Sequence, residues 1–288
     1  MRREDLRKLI VGPIATVPTA FDKNYKLDHG RMADATEVWI QSGLVTGRSV
    51  LKVAAAMGEG PQLNETEWEH VLDSVVKAAK GRVPVMGAIH YKDTVRTVED
   101  AKRAANMGVI GLQISPPVFN NPSQEDMLRY YGSVSDRIET GVMIYNTHWL
   151  PNGGIYPATF RRMVDFEHIA AIKWSPPKGT AYEDIFDLAK TFTIMDNTSQ
   201  PVLCHKLGGR GFLTDGVDSY PPYYLDVWDM IEARQYNNAQ SEWDRVMLPL
   251  RDFYTKVSKK SGGESRVEKA MSEIMGLPMG SPRPPSLP

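Results

Sequence analysis

Two side chains at the ends of apolar runs give this sequence its clearest chemistry. Lys173 lies near the end of the run 168–174, His-Ile-Ala-Ala-Ile-Lys-Trp. Tyr145 stands 28 positions earlier, near the end of the run 141–146, Gly-Val-Met-Ile-Tyr-Asn. Taking an ammonium out of water is costly, and burial favours the neutral amine. A neutral amine is a nucleophile that can condense with a ketone to form a Schiff base. From the strand pattern alone a second reading stays open, in which the stem of Lys173 is buried and its ammonium reaches water.

These runs belong to a series. Apolar stretches at 10–16, 49–54, 83–89, 109–114, 141–146, 168–174, 192–195 and 209–214 alternate with segments of helical period. The helical segments lie near 28–42, 65–79, 95–107, 124–138, 157–166, 182–190, 201–207 and 223–233. Several open on a capping signal, as in Asn64-Glu-Thr-Glu67, where Asn64 can cap and Glu67 can reach back. Strict alternation argues for a parallel sheet with helices outside it, and eight such units are the number that closes a (β/α)8 barrel. A doubly wound open sheet is the second choice. It would want a glycine-rich turn after the first strand, which Gly12-Pro-Ile-Ala-Thr-Val17 does not supply.

Two more helical patterns follow, near 236–258 and 264–275. The expected organisation is a barrel over 1–233 and a C-terminal helical extension over 234–288, ending in the breaker-rich segment 279–288. In a closed barrel the chemistry gathers at the carboxyl ends of the strands. Here those ends carry Thr16, residues 55–59, His90, residues 116–119, Tyr145 with Asn146, Lys173, Asp196 with Asn197, and Leu213 with Thr214. Lys173 and Tyr145 then fall on neighbouring strands at one face, which favours function over a snorkelling strand end.

Composition narrows the classes. The 288 residues are 42% hydrophobic and 24% charged, with a formal net charge of −1. That fits a soluble globular protein and gives no basic surface for nucleic acid. The single cysteine, Cys204, cannot build an internal disulfide framework and fits a reducing compartment. No run approaches the roughly 18 apolar residues of a membrane span, and no apolar stretch follows the basic start. The expectation is a cytoplasmic protein without a membrane partner.

Several longer motifs follow one another along nearly the whole chain. They are Ala56-Met-Gly-Glu59 followed by Pro61-Gln-Leu-Asn-Glu-Thr-Glu67, Pro116-Pro-Val-Phe-Asn-Asn-Pro122, Ile144-Tyr-Asn146, Ile172-Lys173, Gly208-Gly-Arg-Gly-Phe-Leu-Thr214 and Met275-Gly-Leu-Pro-Met-Gly280. In these the chain resembles the dihydrodipicolinate synthase / N-acetylneuraminate lyase family of Schiff-base (β/α)8 enzymes. The resemblance implies a 2-oxo acid substrate, usually pyruvate or a derivative, and a homo-oligomer, dimer or tetramer. It implies no cofactor beyond the covalent imine on Lys173. Tyr145 matches the tyrosine that passes protons to and from the imine carbinol and the substrate hydroxyl. A phenol can donate and accept in one place, although its reference pKa of about 10 means that the site must help it.

The chain departs from the family where the family carries hydroxyls. Ala56 and Met57 stand where two hydroxyl residues usually precede Gly58-Glu59, and Phe119 stands where a tyrosine often reaches across a subunit contact. The departures imply that the usual proton relay from Tyr145 is missing. They also imply that backbone N–H groups around 56–58 hold the substrate carboxylate. Leu150 falls near where the synthase places an arginine for its second substrate's carboxylate, which disfavours the lysine-pathway reaction. Met57, Phe119, Trp149, Leu150 and Trp174 suggest an apolar or aromatic-tolerant site, although strand alternation points Trp174 away from Lys173.

The remaining candidates are less specific. His148 could act as an acid/base or bond the substrate, titrating near neutral pH, and it could equally be an ordinary loop histidine. The resemblance implies that Leu213, on the eighth strand, lies beside the substrate. Glu59 reads as a structural carboxylate. His90, His148 and His205 follow three different strands without an HxH pattern or paired carboxylates, so no metal is expected. Gly208-Gly-Arg-Gly211 lacks the Lys-Ser/Thr of a phosphate loop. The reading is a lyase of the class I aldolase type, making or breaking a C–C bond in a 2-oxo acid. A dehydratase or hydratase-aldolase acting on a 4-hydroxy-2-oxo acid through the same imine is the second reading, and a non-catalytic small-molecule-binding barrel the third.

Overall fold

Eight parallel strands close on themselves in chain order. They are β1 (Gly12–Thr16), β2 (Val50–Val53), β3 (Val85–Ile89), β4 (Gly111–Ile114), β5 (Gly141–Tyr145), β6 (Ile169–Trp174), β7 (Thr193–Asp196) and β8 (Gly211–Leu213). The ring closes where Gly12 of β1 pairs with Gly211 of β8. This computed structural model describes residues 3–147, 154–261 and 265–286. His148, Trp149 and Leu150 therefore lie outside the described residues.

The outer layer is helical: α1 (Arg3–Leu9), α2 (His29–Gln41), α3 (Glu65–Ala79), α4 (Thr94–Met107), α5 (Gln124–Ser135), α6 (Pro157–Arg161), α7 (Pro201–Lys206), α8 (Pro221–Glu232), α9 (Tyr236–Ser261) and α10 (Ser265–Ile274). The expected capping box at Asn64 is formed: the side chain of Asn64 accepts from the Glu67 N–H, and Glu67 accepts from the Asn64 N–H. Ser123 forms the same kind of box with Asp126 at α5, and Asp93 caps α4 by accepting from the Arg96 N–H. The expected helix at 182–190 is instead a 3₁₀ segment, Tyr182–Leu188, and the sixth helix is cut to Pro157–Arg161. Trp39, Leu72, Tyr131 and Trp174 are among the buried residues that join strands to helices. Trp174 packs edge-on against Phe160 and donates its indole N–H to the Tyr182 carbonyl at 2.9 Å. It faces outward, as alternation predicts.

The inside of the barrel changes character along its axis. A lower layer of Ile14, Val50, Met86, Met143, Ala171 and Met195 is apolar. Two residues further along the same strands come Thr16, Lys52, Tyr145 and Lys173, with Gln113 of β4 beside them. The period of two in a strand puts these groups on the same inward face, one level higher.

Helix α1, which the hydrophobic pattern leaves unassigned, closes the barrel from below. Leu6 and Ile10 are fully buried in the inner core. Gly141 makes room for this plug, since a Cβ there would lie 1.8 Å from Cδ2 of Leu6. Arg3 donates to the Ile169 carbonyl at 2.8 Å and Arg7 to the Lys190 carbonyl at 2.6 Å, so the helix is tied to the strand ends it covers.

At the other end the C-terminal tail is clamped over the strand-to-helix loops. Glu59 is buried, in a left-handed conformation, and binds the Lys269 ammonium at 2.5 Å and the Arg283 N–H at 3.1 Å. Lys269 and Arg283 lie over the Phe21 ring, 4.2 and 4.3 Å from its centre. Glu59 is thus structural, as its sequence context indicates. Among the described residues, no helix is long and apolar enough to cross a membrane.

Truncating the plug tests its part in the core. Leu6→Ala should lower unfolding free energy by ~2–5 kcal/mol, read as a shift in the urea midpoint. An unchanged midpoint would show that α1 is only laid against the barrel.

Candidate active site

A cavity of about 270 Å³ opens at the carboxyl ends of the strands. Its floor is the polar layer of Thr16, Lys52, Gln113, Tyr145 and Lys173, and its sides come from residues 55–57, 197–199 and 213–215. Helix α9 completes the rim with Met247, Leu250, Arg251 and Tyr254. Tyr145 and Lys173 are register partners on adjoining strands. The Lys173 ammonium lies over the phenol ring, 4.1 Å from its centre, which is within the range of a cation–π contact. Each of the two is only 7% exposed. They reach the cavity from within the wall rather than from solvent, so Lys173 is no snorkelling strand end.

The surrounding groups hold this pair in a defined electrostatic setting. Lys52 is 1% exposed and donates to Oε1 of Gln113 at 2.9 Å. His90, at the end of β3, shares a 2.9 Å hydrogen bond through Nδ1 with the Ser115 hydroxyl. Burial, followed by the positive fields of Lys52 and Lys173, pulls the His90 imidazole down to about 3. The imidazole behind the cavity floor is thereby held neutral. On the β7 side the buried Asp196 carboxylate accepts from the Thr198 N–H and hydroxyl and from the Gln200 N–H. Those bonds shape the loop that carries Asn197, Thr198 and Ser199 into the wall, while burial raises the carboxyl's pKa.

Several expected residues converge here. Lys173, Tyr145, Ala56, Met57 and Leu213 all line the cavity. Gly58 does not; it lies behind the wall, where a Cβ would come within 2.4 Å of the Val17 carbonyl oxygen. Its own carbonyl accepts from the Thr19 hydroxyl at 2.5 Å, so its part is to let the loop turn. Phe119 is 84% exposed and is not brought to the cavity within one chain. His205 is engaged elsewhere, by Tyr236 and Glu232. Among the described residues no three His, Cys, Asp or Glu side chains come together as a metal-ligand group. The wall is more polar than the sequence suggests: Met57, Leu213, Met247 and Leu250 face Thr16, Gln113, Thr214, Asp215 and three basic side chains.

Lys52, Gln113 and the α9 residues escape the sequence reading. Lys52 carried the same signal as Lys173, a charged residue inside an apolar strand run. The α9 residues carried none, because helix packing on the barrel brings them in.

A buried lysine and a tyrosine in register at the top of a closed (β/α)8 barrel define the site. The model of the dihydrodipicolinate synthetase family matches residues 10–288, and the chain belongs to that family. It is 26% identical over 264 residues to the 4-hydroxy-tetrahydrodipicolinate synthase of Methanococcus maripaludis strain C7, covering 91% of this chain and 88% of that protein. It is 27% identical over 289 residues to the synthase of the same name from Bacillus velezensis, covering 96% and 94%. Among solved structures it resembles YagE, a prophage protein of the dihydrodipicolinic acid synthase family from E. coli K12, solved in complex with pyruvate. That match has a TM-score of 0.85 at 21% identity, over 97% of this chain and 93% of that one. The dihydrodipicolinate synthase of Thermotoga maritima matches with a TM-score of 0.85 at 22% identity, over 97% and 93%. At these identities the structural likeness speaks to the fold.

The depressed His90 pKa sets a pH dependence. Between about pH 6.5 and 3 the unfolded chain binds a proton at His90 that the folded chain refuses, so stability falls as pH falls through that window. Wild type should lose on the order of 2–3 kcal/mol between pH 6.5 and 4.5 from this group, and His90→Gln should lose that much less. Equal losses in urea melts of the two proteins would contradict a histidine held neutral.

Proposed function

We propose that the chain is a Schiff-base lyase of the class I aldolase type, acting on a 2-oxo acid with pyruvate as one component. The observation that carries this reading is the register pairing of Lys173 with Tyr145 at the cavity floor. The Lys173 amine adds to the ketone carbon, the ketone oxygen takes up protons and leaves as water, and a protonated imine results. The C3–C4 bond then breaks. Its electron pair moves into an enamine on the lysine, while the C4 hydroxyl gives its proton to Tyr145 and departs as an aldehyde carbonyl. Protonation of the enamine at C3 and hydrolysis of the imine release pyruvate and restore the amine. No cofactor enters these steps.

Family membership supports lyase chemistry, and a fold neighbour described as a complex with pyruvate supports the substrate class. The curated relatives bear the name of the lysine-pathway synthase. We assign this chain a different aldehyde partner, because Leu150 stands near where the synthase's arginine would hold the carboxylate of its second substrate. The mixed wall supports a partner with both polar and apolar parts.

Product analysis with a panel of 4-hydroxy-2-oxo acids tests this. Pyruvate and aldehyde should appear in equal amounts. Lys173→Ala should abolish turnover, and Tyr145→Phe should lower kcat by roughly 10²–10⁴-fold. An intact carbon chain short of one water would replace the aldolase by the dehydratase reading. Full turnover in Lys173→Ala would sink both, and no reaction with any member of the panel would leave a binding barrel.

A further inference from the structure

The second lysine in the cavity is the feature that family membership does not account for. Lys52 stands on β2, Lys173 on β6, and in a ring of eight strands these face one another across the barrel. Both line the same cavity, and both fields act on His90. An ammonium on an inward strand position carries a desolvation cost that a valine there would avoid. Gln113 accepts a hydrogen bond from Lys52 at 2.9 Å. That amide fixes where the ammonium sits. Among the described residues that line the cavity, the charged side chains are Lys52, Lys173, Arg251 and Asp215, a balance that draws an anionic ligand.

We infer that Lys52 is the residue that binds the carboxylate of the substrate whose ketone condenses with Lys173, an inference that rests on the imine reading. In a 2-oxo acid the carboxylate is bonded directly to the reacting carbonyl carbon. Its partner must therefore lie in the same cavity as Lys173, whose polar floor Lys52 and Gln113 share. The β2 strand end above them is occupied by Ala56 and Met57, which have no hydroxyl to offer, so the charge comes from lower on the same strand. Lys52 acts on the chemistry only through the substrate. Its ammonium opposes a second positive charge in the pocket, and the substrate carboxylate relieves that opposition when the imine becomes protonated. The same arrangement selects 2-oxo acids over ketones that lack the acid.

Reductive trapping with sodium cyanoborohydride, followed by intact-mass measurement, tests this with pyruvate and methyl pyruvate as probes. Wild type should reach half-maximal trapping of the acid at a concentration at least tenfold below that of the ester. In Lys52→Met the acid should need at least tenfold more, with its final extent of trapping unchanged and the ester within twofold of wild type. Lys52→Arg should restore much of the preference. Lys52→Gln, which keeps a donor for Gln113, gives the same comparison should the methionine variant fail to fold. A preference for the acid that persists without Lys52 overturns the assignment and leaves the imine standing. Failure of wild type to trap either probe overturns the imine, and the assignment with it.

Discussion

The structure turns on where a closed barrel can keep ammonium groups out of bulk water. Eight strands enclose an interior that must be filled, and here it is filled in two different ways. The lower level is apolar and is sealed from beneath by Leu6 of α1 and by Ile10 just after it. The upper level holds Lys52, Gln113, Tyr145 and Lys173. An ammonium standing on an apolar floor has a limited set of partners: a ring face, an amide oxygen, or an anion arriving from the cavity. The contact of Lys173 with the Tyr145 ring and the bond from Lys52 to Gln113 are the first two. In the proposed reaction the 2-oxo acid is the third.

The elements around the mouth serve to keep that arrangement in register. Glu59, Lys269 and Arg283 lock the tail against the loops after β1 and β2. The α9 and α10 helices are tied in through a second buried cluster. There the Tyr254 hydroxyl donates to Glu268 at 2.5 Å, Glu268 accepts from the Gly216 N–H, and the Ser272 hydroxyl donates to Asp218 at 3.1 Å. Burial, and for Glu268 also the nearness of Asp218, pushes these two carboxyl groups upward in pKa. Tyr254 also faces the cavity. The extension is thereby part of the site's wall.

Much of this was legible in the sequence, and the reasons are physical. Strict alternation of apolar runs with helical segments leaves few architectures, so the barrel could be read directly. The carboxyl ends of the runs, together with the family resemblance at 56–59, point to Lys173, Tyr145, Ala56, Met57 and Leu213, which all line the cavity. Lys52 carries the same signal but lies in the middle of its run, so the rule that chemistry gathers at the strand ends does not point to it. Helix α1 is short and carries charges on most of its surface, so its buried Leu6 leaves no periodic trace. Phe119, placed near the substrate by resemblance, is solvent-exposed in the single chain.

A crystal soaked with pyruvate gives the most direct test of Lys173 as the imine-forming amine. Continuous density from Nζ of Lys173 to the second carbon of pyruvate is expected, with the ketone oxygen lost. Pyruvate bound in the cavity without that bond, or joined to Lys52 instead, would contradict it.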